Sequence, residues 1–421
     1  MTEPDLNLVV LGLGYVGLPL AREATRGGLL VVGLDTSARV VDGLNSGRSH
    51  VDDYSDDDVR EMRAAGFSAT TEPSCLDRAD VVVVCVPTPL DEQRKPDLRA
   101  VEAAARMIRD HVRVGILVVL ESTSYPGTTD TLVRSILEES GLTAGSDFHL
   151  AFSPERVDPG NGSWNLRNTP KIVGGLTAEC TSRAAKFYER FVESVVRVSG
   201  TREAEMAKLL ENTYRHINIA LVNELAMLCH EMGIDIWEVI AAARTKPFGF
   251  APFFPGPGVG GHCIPIDPNY LSHHVRTLGH EFRFVELAQE ISGRMPAYVA
   301  DRVASFLGRR GSSIAGARVL VLGVTYKPNI ADDRETPARD VIRHLRERGA
   351  EVTAHDPMVE VFVVDGDPVR MANDLDSALA SCDIAVLLQA HDAYDLGRIC
   401  SIAPLVFDSR GVTRGPNVER L

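Results

Sequence analysis

The 421-residue sequence predicts an α/β protein, with two doubly wound sheet domains joined by a central helical region that holds one long helix. Three observations carry this expectation. Strand-length apolar runs alternate with helical spacing up to about residue 199, residues 203–231 contain neither glycine nor proline, and a second series of strand-like runs begins at Arg318. At roughly 150 residues per domain, the length accommodates two or three domains.

Asn7–Leu11 is apolar and β-prone, residues 15–26 have helical spacing, and Leu30–Leu34 reads as a buried strand. Residues 81–86 and 116–120 are continuous apolar runs of strand length, with helical spacing over 97–112 between them, and 148–152 follows another helix. Such βαβ repetition specifies a parallel sheet covered on both faces and places a first domain at 1–199. In 203–231, Met206, Leu209, Leu210, Ile217, Leu221, Leu225 and Leu228 recur at three-to-four spacing, which makes one helix ended by Gly233. A shorter helical stretch follows. Residues 247–268 are too rich in glycine and proline to be regular, 296–310 read as a helix and 311–316 as a linker. The central helical domain is therefore expected at 200–310 and a third domain at 311–421, with strands at 318–323, Glu351–His355, 384–389 and 405–408.

Lys and Arg total 44 against 58 Asp and Glu, a net charge of −14 with histidine neutral. Without a basic segment the chain has no footprint for nucleic acid or an anionic membrane surface, although placed basic residues can still clamp a small anion. The composition, 44% hydrophobic and 24% charged, is that of a globular protein. Apolar stretches fall well short of the ~20 residues a membrane span needs, and the acidic opening Met1-Thr2-Glu3-Pro4-Asp5 has no signal-peptide character, so a cytoplasmic protein is expected. Seven cysteines with no CxxC pair argue for reduced thiols and against a metal site.

Gly12-Leu13-Gly14-Tyr15-Val16-Gly17 lies between a strand and a helix, and Asp35 closes the next strand. Glycines there allow a tight turn, close approach of a pyrophosphate to backbone N–H groups, and helix-on-strand packing, with the helix N-terminus adding partial positive charge. The pattern reads as dinucleotide binding. Asp35 would accept from a ribose 2′-hydroxyl and repel a 2′-phosphate, favouring NAD over NADP; a strand-end turn role for it stays open. Val86-Pro87-Thr88-Pro89 and Glu121-Ser122-Thr123-Ser124-Tyr125-Pro126-Gly127-Thr128 follow two later strands, where ligands sit in parallel sheets, though each is also an ordinary capped turn.

On the long helix Lys208, Asn212 and His216 stand at i, i+4 and i+8 and share one face, either as a site or as a solvated stripe. Glu155, in Ser153-Pro154-Glu155-Arg156, closes a strand at the same sheet edge. The sharpest feature is Gly256-Pro257-Gly258-Val259-Gly260-Gly261-His262-Cys263-Ile264-Pro265-Ile266-Asp267-Pro268. Its glycines expose backbone ahead of a thiol, which lets a substrate carbon approach sulfur. Asp267 then Pro268 is also a helix start, N-cap and N1, whose dipole would favour the thiolate of Cys263. The role of His262 is left open. In the second sheet Thr325-Tyr326-Lys327 and Arg410 follow strand ends and suit a phosphate-bearing ligand as readily as surface charge.

These motifs, in this order from Gly12 to Arg410, resemble the nucleotide-sugar 6-dehydrogenases, the family of UDP-glucose, GDP-mannose and UDP-N-acetylhexosamine dehydrogenases. His262 before Cys263 looks like the N-acetylhexosamine branch, and Thr245-Lys246-Pro247-Phe248-Gly249-Phe250 is similar to the UDP-N-acetylglucosamine members. The resemblance implies two Rossmann-like domains and a four-electron oxidation of C6 from alcohol to carboxylate with two NAD, feeding surface polysaccharide synthesis. It implies a water held by Asp267 and Lys208 as base, Cys263 as nucleophile, Lys208 and Asn212 at the oxyanion, and Glu155 positioning the hydrolytic water. Thr123 would lie near the nicotinamide, beside a cofactor site of Gly12, Gly14, Tyr15, Val16, Gly17, Asp35, Pro87 and Thr88. The UDP-sugar would meet Glu155, Arg156, Lys208, Asn212, Gly260, Tyr326, Lys327 and Arg410, with Arg244 offered to a neighbouring subunit of a homodimer built on the long helix. Lys327-Pro328-Asn329-Ile330-Ala331-Asp332 departs from the family pattern at Asn329. UDP-N-acetyl-D-glucosamine is the expected substrate. Its mannosamine and galactosamine counterparts, UDP-glucose, a two-electron dehydrogenase and a non-catalytic sensor remain alternatives.

Overall fold

A computed structural model describes residues 6–51, 54–91, 93, 95–157, 163–261 and 264–421. The chain divides into two compact units, Met1–Glu211 with Asn269–His280, and Asn212–Pro268 with Glu281–Leu421. One boundary falls inside the long helix.

In the first unit the strands are β1 (Asn7–Leu11), β2 (Leu30–Leu34), β3 (Ser68–Thr70), β4 (Val81–Val84), β5 (Leu117–Leu120), β6 (His149–Phe152), β7 (Lys171–Gly175) and β8 (Val195–Arg197). Among the described residues they form one sheet in the order β3-β2-β1-β4-β5-β6-β7-β8, parallel except between β6 and β7. Helices α1 (Gly17–Arg26), α2 (Ala38–Asn45), α3 (Asp56–Ala64), α4 (Arg99–Arg109), α5 (Arg134–Glu138) and α6 (Ala178–Tyr188) alternate with the strands. The strand order runs outward from β1 in both directions. That leaves a crevice at the carboxyl ends of β1 and β4, where ligands bind in open α/β sheets.

The long helix α7 (Thr201–Glu231) is continuous, as its unbroken spacing predicts, and Gly233 follows it with φ 68°. It leads to α8 (Ile236–Ala243), and an irregular segment separates α8 from α9 (Asp267–Thr277). The next helix corrects the sequence reading: α10 runs over Arg283–Arg309, with Pro296 inside it and not at its start. Its buried face, Val285, Ala288, Ile291, Met295, Val299, Val303 and Phe306, carries one spacing straight through the proline. Proline removes a single helix hydrogen bond, to the carbonyl four residues back, and apolar burial of ~1.5–3 kcal/mol per large side chain outweighs that loss.

The second unit holds β9 (Arg318–Leu322), β10 (Glu351–His355), β11 (Val363–Val364), β12 (Asp367–Pro368), β13 (Arg370–Met371), β14 (Ile384–Leu387), β15 (Val406–Asp408) and β16 (Val418–Arg420), with α11 (Ala338–Glu347), α12 (Leu375–Ser381) and α13 (Leu396–Ile402). The order β13-β10-β9-β14-β15-β16 is parallel throughout, and β11 and β12 form a separate hairpin. Val319 and Val321 enter the cluster that includes α10 and α11, while Leu320 and Leu322 enter the cluster that includes α12 and α13. Both faces are covered, so β9 reads as one apolar run and not as an alternation.

Candidate active site

The glycine turn after β1 has the geometry its spacing demands. Gly12 has φ 86°, and a Cβ there would stand 2.7 Å from the Cys85 carbonyl oxygen; one on Gly17 would lie 1.8 Å from the Gly12 carbonyl. Gly14 is different, because a Cβ there would meet no atom within 4 Å and would project into open space over the start of α1. Asp35 fastens the turn, with Oδ2 accepting from Leu13 N–H at 2.9 Å and Oδ1 from Ser37 N–H at 2.8 Å. Its turn role is thus real, and its half-buried oxygens keep lone pairs for a hydroxyl. Tyr15 is exposed and Val16 precedes α1. Pro87 is exposed and Thr88 half-buried, on a turn held by the Tyr270 hydroxyl, which donates to the Thr88 and Pro89 carbonyls.

At the ends of β5 and β6 lies a buried polar cluster that the sequence reading missed. Lys171 donates to Glu121 at 3.0 Å and stands 3.6 Å from Glu155. The Tyr188 hydroxyl donates to the other oxygen of Glu121. Desolvation works against the Lys171 ammonium, but Glu121 and Glu155 outweigh it and hold its pKa above the ordinary value. Burial and the Glu121 charge push the Tyr188 phenol far up, so it remains a neutral donor. Glu155 turns Oε1 onto its own loop, accepting from Arg156 N–H and Val157 N–H, and its carbonyl accepts from Lys208 Nζ at 2.7 Å. Two expected residues, Glu155 and Lys208, are therefore in contact within this unit. Arg156 is engaged by Glu211 and the Pro170 carbonyl. Thr123 sits half-buried just past the end of β5.

In the second unit Asn212 Nδ2 donates to Asp267 Oδ2 at 2.5 Å, joining two further expected residues. Lys208, Asn212 and His216 are all buried, so their shared face is not a solvated stripe. Among the described residues neither ring nitrogen of His216 has a hydrogen-bond partner, and burial pulls it down to about 4, which keeps it neutral. Asp267 belongs to the first turn of α9 and not to the N-cap position the sequence suggested, a shift of one residue at a helix end. His262 and Cys263 lie outside the described residues.

The loop ahead of them is built on close approach. Gly256 N–H donates to Asn223 Oδ1 at 2.9 Å, and a Cβ on Gly256 would lie 2.9 Å from Arg410 Nη1. Cβ atoms on Gly260 and Gly261 would lie 2.7 Å from the Tyr326 side chain. Gly260 thus lies against Tyr326, and Gly256 lies against Arg410. Arg410 Nε donates to the Leu388 carbonyl, and burial lowers the guanidinium to about 10, still charged at neutral pH. Lys327 is half-buried, whereas Arg244, which caps α8, is exposed.

Comparison with known proteins completes the picture. The UDP-glucose/GDP-mannose dehydrogenase family matches in three parts, an NAD binding domain at 6–192, a central domain at 202–293 and a UDP binding domain at 320–415. The chain belongs to the UDP-glucose/GDP-mannose dehydrogenase family. It is 37% identical to an NDP-N-acetyl-D-galactosaminuronic acid dehydrogenase of Ralstonia solanacearum across 97% of each chain. It is 38% identical to a UDP-N-acetyl-D-glucosamine 6-dehydrogenase of Pseudomonas aeruginosa across 84% of this chain and 83% of that one. Its fold is similar to that of the UDP-D-ManNAc dehydrogenase of Pyrococcus horikoshii, with TM-score 0.90, 33% identity and 99% of both chains covered. As a member of this family the chain is an oxidoreductase, an NAD-dependent nucleotide-sugar dehydrogenase with two Rossmann-like sheets. The open space over Gly14 and the accepting oxygens of Asp35 fit NAD. Among the described residues no helix is long and apolar enough to cross a membrane.

Three buried polar residues of the first unit, Lys171, Tyr188 and Glu205, carry no motif of their own, and Glu121 was read only as the start of a strand-end turn. The available signal was weak: a lysine opening the apolar run of β7, and a glutamate at a buried position of a helix.

Proposed function

We propose that this dehydrogenase oxidises C6 of a UDP-N-acetylhexosamine, UDP-N-acetyl-D-glucosamine, to the uronic acid through a thioester on Cys263. NAD, when bound, supplies the hydride acceptor for both oxidations. In the first, the C6 alcohol gives its proton to a water held by Asp267 and Lys208, leaving an aldehyde. The Cys263 thiolate adds to that aldehyde, and Lys208 and Asn212 donate to the oxyanion of the thiohemiacetal. Oxidation of this adduct gives the thioester. A water positioned by Glu155 hydrolyses it, releasing the carboxylate and returning the thiolate. Thr123 orders the reacting carbon beside the Gly12-to-Gly17 cofactor site, with Asp35, Pro87 and Thr88 around it. Tyr326, Lys327, Arg410, Gly260 and Arg156 serve the UDP-sugar.

The observation that carries this reading is the pair of short contacts from adjacent turns of α7, Lys208 to the Glu155 carbonyl and Asn212 to Asp267. Buried polar groups on an otherwise apolar helix cost free energy unless they are partnered, and here Lys208 is partnered with the Glu155 backbone carbonyl and Asn212 with the Asp267 carboxylate. Four of the other thiols support the choice of nucleophile, since burial raises Cys75, Cys85, Cys382 and Cys400 above the ordinary cysteine value. A second reading, the mannosamine epimer, is favoured by the similarity to the Pyrococcus horikoshii fold. Measuring NADH released per sugar across the UDP-linked N-acetylglucosamine, N-acetylmannosamine, N-acetylgalactosamine and glucose tests both. Two NADH per sugar with Cys263→Ser blocked in carboxylate release supports the thioester route, and one NADH or an unaffected variant sinks it.

On this reading the chain comprises an NAD-binding domain at 1–199, a central helical domain at 200–310 and a UDP-sugar domain at 311–421, and acts in the cytoplasm for surface polysaccharide synthesis. It works as a homodimer. Met206, Leu210, Tyr214, Leu221, Leu225 and Leu228 are exposed along one stripe of α7, with Met232 just past its end, an apolar face that a second copy would cover, bringing Arg244 toward the neighbouring substrate. Light scattering at twice the chain mass is the expected result, and a fully active monomer would remove the claim.

A further inference from the structure

Glu205, in the second turn of α7, is completely buried and belongs to none of the motifs above. Its Oε1 accepts from the Ser124 hydroxyl at 3.2 Å, Thr129 N–H at 2.9 Å and the Thr129 hydroxyl at 2.7 Å, and its Oε2 accepts from Gly127 N–H at 2.7 Å. The Ser124 and Gly127 donors lie on the short loop after β5 that carries Thr123, and both Thr129 donors lie in the first turn of the helical segment Thr128–Val133 into which that loop runs. Gly127 turns that loop with φ 103°, a conformation a side chain would resist, so the N–H groups are delivered to the carboxylate by the backbone itself. Three residues further along the same face of α7, Lys208 donates to the Glu155 carbonyl at the end of β6.

We propose that Glu205 is a positioning residue of the dehydrogenase: its carboxylate locks the Thr123 loop to the turn of α7 that carries Lys208, so that the reacting carbon meets Lys208 and the cofactor site in one fixed geometry. The inference rests on the roles given to Thr123 and Lys208 above. A purely structural anchor could be apolar here, since burying a carboxylate is costly and is repaid only by its four donors. What the carboxylate adds is acceptor capacity on both oxygens. An amide cannot reproduce it, because its NH₂ group would face the Gly127 N–H or the Thr129 donors.

Glu205→Gln therefore tests it with the volume kept. With the sugar preferred in the four-sugar assay, at a pH well above 7 where the buried carboxyl is ionised, kcat should fall about 10- to 100-fold, as expected for a misplacement near 1 Å, while KM for NAD and sugar moves less than about threefold. A sugar deuterated at C6 should show a larger isotope effect on kcat than in the wild type, because the oxidation step becomes slower relative to the steps around it. A merely structural role would lower the melting temperature and the folded fraction but leave kcat per folded molecule and the isotope effect at wild-type values, and that result overturns the inference. Thr129→Val removes one hydroxyl donor and leaves the carboxylate in place, so it covers the case in which the glutamine variant does not fold. It should shift both readouts in the same direction by a smaller factor, and wild-type values for both would again overturn the inference. Wild-type enzyme yielding no NADH would instead strike the reading of the site beneath it.

Discussion

The carboxyl edges of the two sheets repeat one another almost residue for residue, and they differ where ligand chemistry begins. Gly12 follows β1 with φ 86° and donates to the Leu34 carbonyl; Gly323 follows β9 with φ 78° and donates to the His355 carbonyl. Asp35 closes β2 and accepts from Leu13 N–H and Ser37 N–H, while Asp356 closes β10 and accepts from Val324 N–H and Met358 N–H. Beyond β5 and β15, Ser122 N–H donates to the Val84 carbonyl and Ser409 N–H to the Leu387 carbonyl, and the loops that follow carry Thr123 and Arg410. The differences are chemical. Asp35 keeps accessible oxygens beneath a GxGxxG turn, whereas Asp356 also holds the His391 ring at 3.1 Å and is closed off. One strand-end scaffold thus leaves a half-buried carboxylate beneath a GxGxxG turn in the first unit and presents an arginine in the second.

The anions that hold the Thr123 and Arg410 loops sharpen the contrast. Asp408, at the end of β15 itself, accepts from Arg410 N–H, Gly411 N–H, Thr413 N–H and the Thr413 hydroxyl. The first unit recruits its anion, Glu205, from α7, the helix that also carries Lys208. A local anion merely shapes a loop, while one from another element couples the loop to that element.

The largest expected effect tests the shared turn. A Cβ on Gly323 would stand 2.4 Å from the Gln389 carbonyl, and one on Gly12 2.7 Å from the Cys85 carbonyl. Gly323→Ala and Gly12→Ala should each cost about 3–5 kcal/mol in urea unfolding, from backbone overlap plus left-handed strain, with Gly323→Ala the worse. Near-wild-type stability in either would mean that the two turns are not equivalent.

Next in size is the pH dependence contributed by Glu205. Burial pushes this carboxyl from its ordinary 4.5 up to about 7, against the pull of its four donors. Between those values the folded chain binds a proton that the unfolded chain releases, so stability falls as pH rises through that window, by about 3 kcal/mol in total. Glu205→Gln should flatten that slope in melting curves taken from pH 4.5 to 8. An unchanged slope would mean that other groups set it.

Much of this architecture was legible in the sequence because it depends on local pattern. Strand-length valine runs, the glycine spacing after β1 and the unbroken repeat of α7 each follow from a rule that spans fewer than about thirty residues. What stayed hidden depends on partners far apart in the chain. Lys171 and Glu121 are 50 residues apart, Glu205 and Thr129 are 76 apart, and Asp356 and His391 are 35 apart. A buried charge reads as surface charge until its partner is known. The repeat between the sheets was hidden for a related reason: Gly323 has no companion glycines, and only the hydrogen bonds to Asp356 reveal it as the counterpart of Gly12. The antiparallel β7 was likewise unreadable, since strand direction leaves no mark on an apolar run.

A smaller effect separates the two carboxylates. The His391 ring and two backbone N–H groups hold Asp356 below the ordinary aspartate range despite the opposing effect of burial. Asp356→Asn should cost about 2 kcal/mol of stability and leave KM for NAD unchanged. Asp35→Asn, half-buried and with two donors, should cost about 1 kcal/mol and raise KM for NAD about tenfold while narrowing the preference over NADP. The reverse pattern would show that the second sheet, and not the first, carries the nicotinamide cofactor.

The smallest effect concerns Arg410, on the loop after β15. Arg410→Lys keeps a positive charge but loses the Nε–H that donates to the Leu388 carbonyl, along with the planar group packed over Gly256. A lysine ammonium has rotatable donors and no fork, so it cannot hold both the carbonyl and a phosphate oxygen in one plane. KM for the UDP-sugar should rise about fivefold, roughly 1 kcal/mol, with KM for NAD and kcat at wild-type values in steady-state assays. If KM for NAD rises instead, Arg410 serves the cofactor, and the division of labour between the two sheet edges would have to be redrawn.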